Sequence, residues 1–204
     1  MTLRLCDETD FGFGWIAAEP ASMQRTSHAV AAGGGVWVID PVDGPEVEER
    51  IRALGEPRGV LMLLDRHRRD CAAIAQRLSV PLHETPFGGV PGAPFRFIPV
   101  VRNRLWREVA VWWEERRVLV CPEAVGTASL FLAPGERLAV HPALRLRPPR
   151  RQLGGLEPEH LLVGHGGGIH GAAAAALHEA LTGARRTTPR WARERLHAAL
   201  RRWS

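Results

Sequence analysis

Short apolar runs alternate with amphipathic segments over the first half of the chain. The runs at 36–39 and 59–64 are bounded by turn residues and predict buried strands. Segments 45–54 and 70–78 carry apolar residues at helical spacing and predict helices, the second with an aspartate at its N-cap. A further short strand is predicted at 80–83. This alternation of strand and helix indicates a layered α/β architecture.

The pattern changes after a loop rich in proline and glycine at 86–94. Beyond it, apolar runs follow one another and predict successive strands, two of them joined by the polar turn at 114–117. The candidate strands are 95–101, 109–113, 118–121, 138–141 and 161–163.

Two helices are predicted near the end of the chain. The first is alanine-rich, covers 170–182 and ends at Gly183, where glycine is typical of a helix C-terminus. The second is an amphipathic helix at about 189–203. The strand at 161–163 leads into His165 between glycines, so we expect this imidazole at the open end of a sheet, where ligands commonly bind.

Composition fits one soluble domain over residues 1–204. The three cysteines are odd in number and far apart, which predicts free thiols. Since the chain has no apolar stretch of membrane-spanning length and no signal-peptide pattern at its start, we expect a cytoplasmic protein without a membrane partner.

Charge is uneven along the chain, and every basic side chain is arginine. Residues 1–100 hold 10 Arg against 13 acidic side chains, and residues 101–204 hold 17 against 9. A basic second half is compatible with a nucleic-acid partner, although no motif of a known nucleic-acid-binding family accompanies it.

Several segments, taken in order, resemble the metallo-β-lactamase fold superfamily. Segment 35–40 is similar to an early strand of that fold, which usually ends in an aspartate. Segment 65–71 lies where the family carries His-x-His-x-Asp-His, and 103–123 has the length of the family's Gly-His-Thr-Pro-Gly…Gly-Asp segment. Segment 163–166 resembles the closing Gly-His pair. The resemblance implies a four-layer αββα sandwich of the α/β (α+β) class, in a short form.

The first motif admits two registers. With His67 on its second histidine, Asp65 falls on the first histidine, Arg69 on the aspartate and Asp70 on the last histidine. A shift by one residue puts Asp70 and the following cysteine on the Asp-His pair, and arginines then fall on the earlier histidines. Both registers place arginine where the family keeps metal ligands.

The other motifs supply the remaining candidates. Glu123 falls on the bridging aspartate, Arg104 falls on a histidine, and His165 matches the closing histidine. We also expect an ion pair between Arg104 and Glu123, and His28 as a residue that could face the same cleft. The candidate metal ligands are His67, His165, Asp65, Asp70 and Glu123; the candidate catalytic residues are Asp70 and Glu123; the candidate anion-binding residues are Arg104, Gly166 and Gly167.

Ligand chemistry decides between the functions that the resemblance implies. Two zinc ions need several imidazoles and carboxylates, and a guanidinium cannot replace them because it stays protonated and only donates. The sequence therefore favours a pocket without a metal over a site for one zinc, iron or manganese ion, and favours either over a two-zinc site.

Three functions follow from these observations. The first is a degenerate protein of this fold that binds a small anionic ligand or a protein partner. The second is a hydrolase of an ester, thioester or phosphoester with an atypical single-metal site. The third is a nucleic-acid-binding module that uses the basic second half.

Overall fold

Two mixed β-sheets lie face to face in the molecule, which is known from a computed structural model that describes residues 3–17 and 23–200. The first sheet has six strands in the order β1-β2-β3-β4-β5-β6. Neighbours from β1 to β4 are antiparallel, and β4, β5 and β6 run parallel. These strands are β1 (Leu3–Thr9), β2 (Gly12–Ala17), β3 (Thr26–Ala32), β4 (Gly35–Ile39), β5 (Pro57–Met62) and β6 (Leu82–Glu84).

The second sheet has five strands in the order β13-β12-β9-β8-β7. Its pairs are antiparallel except β9 with β12, which run parallel. A short antiparallel pair, β10 with β11, lies apart from both sheets. These strands are β7 (Arg96–Arg102), β8 (Arg107–Trp113), β9 (Val118–Cys121), β10 (Val125–Gly126), β11 (Ala139–Val140), β12 (His160–Val163) and β13 (Ile169–His170).

Helices cover the outer faces of both sheets. The first sheet packs against α1 (Val47–Leu54) and α2 (Cys71–Leu78), and the second packs against α4 (Ala173–Leu200). The short α3 (Arg150–Leu153) packs through its buried Leu153 into the same layer as α4. This order of layers is the four-layer αββα sandwich that the resemblance predicts.

The central strands are apolar along their whole length because both of their faces are buried. In β9, Val118 and Val120 face the core between the sheets, whereas Leu119 and Cys121 face α4. The same period of two divides β4, β5 and β12 between two cores. Each strand therefore contributes to two layers of packing, which fixes its register.

The parallel pairs decide where a site can form. Strands β4 and β5 end at one edge of the first sheet, and β9 and β12 end at one edge of the second. Because the carboxyl ends of parallel strands meet at the same edge, the segments that follow them come together there. These segments carry Asp40, His67, Glu123 and His165.

The structure corrects two predictions about local structure. The separate helices at 170–182 and about 189–203 are one continuous helix, because Ala184 and Thr187 stay buried beyond Gly183 and packing outweighs the weak helix propensity of glycine. Residues 201–204 of the predicted helix lie outside the described part. The N-terminal hairpin β1–β2 and strand β3 were not predicted, since acidic residues interrupt β1, glycines interrupt β2, and β3 consists mostly of polar residues and alanine.

Among the described residues, none of the helices combines the length and the apolar character that a membrane crossing requires. The three cysteines are free thiols, as predicted.

Candidate metal centre

His67 is positioned by the segment that follows β5. Its backbone N–H donates to the carbonyl of Leu64, which closes a turn and directs the imidazole inward. Its Nδ1 lies 2.9 Å from Asp40 Oδ2, and Asp40 Oδ1 accepts a hydrogen bond from the backbone of Leu63 at 2.8 Å. The buried carboxylate of Asp40 thereby ties the ends of β4 and β5 together and orients one imidazole.

Glu123 follows β9 and is held by a second carboxylate behind it. Glu108 Oε1 accepts hydrogen bonds from the backbone N–H groups of Glu123 and Ala124, at 3.1 and 2.7 Å. Glu108 Oε2 accepts from the indole N–H of Trp106 at 2.7 Å. Burial raises the pKa of Glu108, although these hydrogen bonds oppose the shift. The fully buried Glu108 thus fixes the backbone that carries Glu123.

His165 follows β12 in a turn that needs glycine on both sides. A Cβ on Gly164 would lie 2.2 Å from the carbonyl oxygen of Pro122, and Gly166 has a positive φ of 92°. His165 Nδ1 lies 2.8 Å from the carbonyl oxygen of Met23. The ring also stacks on Phe131, with centroids 5.6 Å apart.

The three side chains meet at one point. Glu123 Oε2 lies 3.1 Å from Nε2 of His67 and 3.1 Å from Nε2 of His165, and the two nitrogens are 3.2 Å apart. All three residues are at most 6% exposed. In a tetrahedral zinc site with bonds of 2.0–2.1 Å, neighbouring ligand atoms lie roughly 3.3 Å apart. The observed triangle is therefore close to the size that a single ion requires.

Hydrogen-bond partners assign the tautomers of both imidazoles. His67 Nδ1 faces the Asp40 carboxylate and His165 Nδ1 faces a backbone carbonyl, so in each ring Nδ1 carries the proton. In the neutral rings, Nε2 then presents a lone pair toward Glu123 Oε2, itself an acceptor. Arg69 Nη2 reaches one of these acceptors, His67 Nε2, at 3.4 Å. The close approach of all three acceptors in a buried place still calls for a cation between them, either a proton on one ring or a metal ion. Metal-binding histidines are commonly oriented in this way by a carboxylate or carbonyl.

His141 orients the third ligand from the opposite side. Its Nδ1 accepts a hydrogen bond from the backbone of Ala143, so Nε2 carries the proton and donates to Glu123 Oε1 at 3.3 Å. This bond leaves Oε2 of Glu123 directed at the two imidazoles. The His141 side chain is 20% exposed, so this end of the centre borders solvent.

Arg69 brings a guanidinium to the edge of the triangle. Its Nη1 donates to the carbonyls of Thr26 and Asp40, and its Nη2 donates to the carbonyl of Gly164 at 3.1 Å. Nη2 also lies 3.4 Å from His67 Nε2. This side chain thus joins both sheets beside the ligand atoms, at the position that corresponds to the family's motif aspartate.

Burial and neighbouring charges set the ionisation of the centre. Burial disfavours the charged form of Glu123, but the surrounding imidazoles of His141, His165 and His67 outweigh it and hold the pKa of this carboxyl well below its usual range. Burial lowers the pKa of His165, which favours the neutral ring with a free lone pair. Burial also lowers the pKa of Arg69, against the attraction of Asp40. The centre therefore holds an ionised carboxylate and a neutral imidazole near pH 7.

The structure brings together three of the five predicted metal ligands, and they form a group that could hold a metal ion: His67, Glu123 and His165. Asp65 lies outside this group, and its buried Oδ1 has no hydrogen-bond partner among the described residues. Asp70 precedes α2 as predicted, but its Oδ2 accepts from the backbone of Asp43 rather than capping the helix. The placement of His67 agrees with the first of the two motif registers.

The predicted ion pair between Arg104 and Glu123 is wrong. Arg104 lies exposed in the turn between β7 and β8, and it has no ion pair within the described part of the chain. His28 binds the carboxylate of Asp7 at 3.3 Å instead of facing the centre.

Of the two glycines predicted to bind an anion, Gly166 has its backbone N–H engaged within the protein, and Gly167 uses its carbonyl. Gly166 N–H donates to the carbonyl of Gln24, and Gly166 O accepts from the hydroxyl of Thr26. Gly167 O accepts from the hydroxyl of Thr127 at 2.6 Å. This turn therefore builds the wall of the centre.

Sequence reasoning missed three residues around the ligands. Asp40 was noted only as a strand end, and the contact with His67 depends on the pairing of β4 with β5. His141 carries no motif, and only the fold brings it to Glu123. Arg69 was expected only as an arginine within the motif; its contacts beside the triangle depend on the fold, and its backbone has a left-handed φ of 40°.

Comparison with known proteins agrees with the geometry of the fold. The chemotaxis sensor ODP, solved as a peroxy diiron species, has a TM-score of 0.60 at 12% identity, with 90% of this chain and 95% of that chain covered. A metallo-β-lactamase from Pontibacter korlensis has a TM-score of 0.58 at 10% identity, with 89% and 99% covered. The metallo-β-lactamase FIM-1 from Pseudomonas aeruginosa, in its mono-zinc form, has a TM-score of 0.56 at 10% identity, with 91% and 97% covered.

No protein-family model and no curated protein matches this chain by sequence. At such low identity, the structural likeness establishes the metallo-β-lactamase fold, and the chemistry has to be argued from the residues.

Proposed function

We propose that this chain is a hydrolase of the metallo-β-lactamase fold that works with one divalent metal ion, held by His67, Glu123 and His165. The observation that carries the proposal is the convergence of three acceptor atoms within 3.2 Å of one another in a buried place. Each of them is oriented from outside by a further hydrogen bond, as expected for a preorganised ligand set.

Charge favours one ion over two. The groups in direct contact at the centre are the carboxylates of Asp40 and Glu123 and the guanidinium of Arg69, which together carry one negative charge. One divalent ion changes this to one positive charge, and two ions change it to three. At an effective dielectric of about 20, each additional unit of repulsion over about 4 Å costs about 4 kcal/mol. The proposed site is therefore mononuclear and differs in this respect from the two-zinc site of the resemblance.

The same count suggests the charge of the substrate. A centre with one net positive charge is neutralised by a substrate with one negative charge near the ion. We therefore propose an anionic ester, thioester or phosphoester as the substrate class.

The residues of the centre have separate roles in the proposed function. His67, His165 and Glu123 bind the ion, and Asp40 and the carbonyl of Met23 keep the two imidazole protons at Nδ1. When bound, a divalent ion supplies Lewis acidity to a carbonyl or phosphoryl oxygen of the substrate. Three protein ligands leave a coordination position free, which distinguishes a catalytic from a structural zinc site. Arg69 holds the sheet edges together, and its positive charge adds to the repulsion that a second ion would meet.

The test is hydrolysis of three anionic substrates by the metal-loaded protein: a p-nitrophenyl ester with a free carboxylate, a thioester with a free carboxylate, and bis(p-nitrophenyl) phosphate. His165→Ala should lose both the ion and the activity. His178→Ala is the matched control, because His178 is an exposed histidine on α4, away from the centre. Activity that survives in His165→Ala, or that is absent from fully loaded wild-type protein on all three substrates, contradicts the proposed function.

A metal-free protein that binds an anion is the second candidate, and Arg69 favours it. A guanidinium 3.4 Å from His67 Nε2 repels any cation placed there. A single proton on His67 would also satisfy the triangle, since this ring could then donate to both Asp40 and Glu123. Absence of bound zinc, iron and manganese from protein purified without chelator would select this candidate.

A further inference from the structure

Four exposed arginines lie on the two segments that border the metal centre. Arg66 directly precedes the ligand His67, and the others flank or occupy the turn between β7 and β8. We refer to these residues, Arg66, Arg102, Arg104 and Arg107, as the arginine rim.

Contacts join the rim to the centre. The guanidinium of Arg66 lies 4.5 Å from the centroid of the Trp106 ring. Trp106 in turn packs edge-on against His141, with centroids 4.8 Å apart, and His141 donates to Glu123. Arg66 therefore lies three contacts away from a ligand of the ion.

Within the part of the chain that the structure describes, the rim arginines lack negative partners. None of the four forms a salt bridge or a side-chain hydrogen bond within the described residues. Exposed arginines on the opposite layer behave differently, because Arg50, Arg52 and Arg77 are paired with carboxylates on or near α1. Other exposed arginines of the described residues, such as Arg58 and Arg96, are also unpaired. What distinguishes the rim is its place on the segments that border the centre and the stacking of its guanidinium groups on aromatic rings.

Two rim arginines are placed where they repel one another. Arg102 and Arg107 are directly opposite in the register of β7 and β8. Both guanidinium groups lie over the ring of Phe87, at 5.0 and 5.4 Å from its centroid. Like charges directly opposite in a β-ladder are destabilising, so this pair stores a repulsion that an anion between them would relieve.

Stacking leaves three of the rim arginines, Arg66, Arg102 and Arg107, ready to bind. A guanidinium that lies over an aromatic face uses its plane for that contact and keeps its N–H edges free. Those edges match two oxygens of a phosphate group. Asn103 Oδ1 accepts from the backbone N–H groups of Leu105 and Trp106, which fixes the turn that carries Arg104.

We propose that the arginine rim binds a ligand with two or more phosphate groups, either a strand of nucleic acid or a free nucleotide. As a statement about the substrate, this inference rests on the proposed single-metal centre beside the rim. As a statement about binding, it rests on the rim arginines themselves, above all on Arg102 and Arg107, which are directly opposite each other over Phe87. The rim is a smaller surface than the basic second half, which supplies Arg102, Arg104 and Arg107, and Arg66 joins it from the first half of the chain.

The experiment measures fluorescence anisotropy of a labelled short oligothymidylate with wild-type protein at several salt concentrations. If all four arginines contact phosphates, the slope of log K against log salt is about −3, because each contact to a single strand contributes about −0.7. Competition by ATP and by inorganic pyrophosphate separates the two sources. If ATP at the same concentration as the labelled oligothymidylate displaces it, the ligand of the rim is a free nucleotide. If ATP does not displace it, the ligand is the nucleic acid strand.

The decisive variant carries Arg102→Gln and Arg107→Gln. It should bind at least about tenfold more weakly, with a slope near −1.4. Its free energy of unfolding should stay equal or rise, since a repulsive pair is removed. If Arg102 and Arg107 instead had a purely structural role, their replacement would lower the free energy of unfolding. Arg50→Gln with Arg52→Gln is the control with the same change in charge, and it should bind like wild type. Equal binding by both double variants, or no binding of any probe by wild type, overturns the inference.

A second variant separates this inference from the proposed function. His67→Ala with His165→Ala should lose the metal ion and still bind the phosphate probe like wild type. Loss of metal with binding intact supports the rim whatever the activity assays give. Loss of probe binding in this correctly folded variant contradicts a rim that binds on its own.

Discussion

Replacing Asp40 by asparagine tests the tautomer argument on which the metal centre depends. Asparagine has nearly the same shape, and its carbonyl oxygen can still accept the hydrogen bond that Leu63 N–H now gives to Asp40 Oδ1 at 2.8 Å. Its amide NH2 would then face His67 Nδ1, where the carboxylate oxygen now lies at 2.9 Å. A donor there forces the imidazole to accept at Nδ1 and to carry its proton at Nε2. The ring would present an N–H to the centre in place of a lone pair.

The substitution should remove a large part of the contribution that one ligand makes to the free energy of metal binding. Loss of such an orienting carboxylate typically weakens metal binding about 10–100-fold, which corresponds to about 1.4–2.8 kcal/mol. Zinc affinity is measured by competition with a chromophoric chelator, and nitrogen-15 NMR of the histidine rings reports the tautomer directly. Asp43→Asn is the matched control, because Asp43 is an exposed carboxylate that pairs with Arg77.

Two results would refute this reasoning. One is a zinc affinity of Asp40→Asn equal to that of wild type. The other is an NMR spectrum of wild-type, metal-free protein in which the proton of neutral His67 resides on Nε2.

Three further predictions concern the fold around the centre. Gly164→Ala should lower the free energy of unfolding by more than about 2 kcal/mol in urea denaturation, because the new Cβ would lie 2.2 Å from the carbonyl oxygen of Pro122; an unchanged midpoint would show that the turn can relax. Arg145→Ala should cost about 3–5 kcal/mol in the same assay, since it leaves Glu136 without its buried partner at 2.7 Å, and a loss below 1 kcal/mol would contradict this. Burial opposes ionisation of Asp7, but its hydrogen bonds hold the pKa of this carboxyl below its usual range, so its stabilising contribution is present above about pH 4 and is lost as pH falls. Asp7→Asn should therefore be less stable at pH 7 and lose less stability than wild type between pH 5 and pH 2. If the free energies of unfolding of the two proteins change in parallel with pH, Asp7 does not make this contribution.

The layered fold was predictable because the chain encodes it locally. Strands β4, β5, β9 and β12 are continuous apolar runs, and such runs have few alternatives to a strand buried on both faces. The N-terminal strands were less visible, since their residues are mixed and their stability comes from pairing with β3 and β4. The single helix α4 depends on packing that no local propensity reports.

The candidate site was predictable only in part. His67, Glu123 and His165 follow apolar strands, and the resemblance placed them in family motifs. The predicted ion pair of Arg104 failed because the turn after β7 points outward, and a different arginine, Arg69, reaches the centre. Proton positions on the imidazoles depend on partners far away in sequence, such as Met23 for His165, so they required the structure.

The most direct test of the single-metal centre is the number of ions per chain. Wild-type protein is saturated with zinc, freed of loosely bound ions by gel filtration and analysed by inductively coupled plasma mass spectrometry. The proposed centre predicts one zinc per chain in wild type and in His178→Ala, and none in His67→Ala or His165→Ala. Two ions per chain, or one ion that persists in either ligand variant, would contradict it, and so would a wild-type protein that retains no zinc.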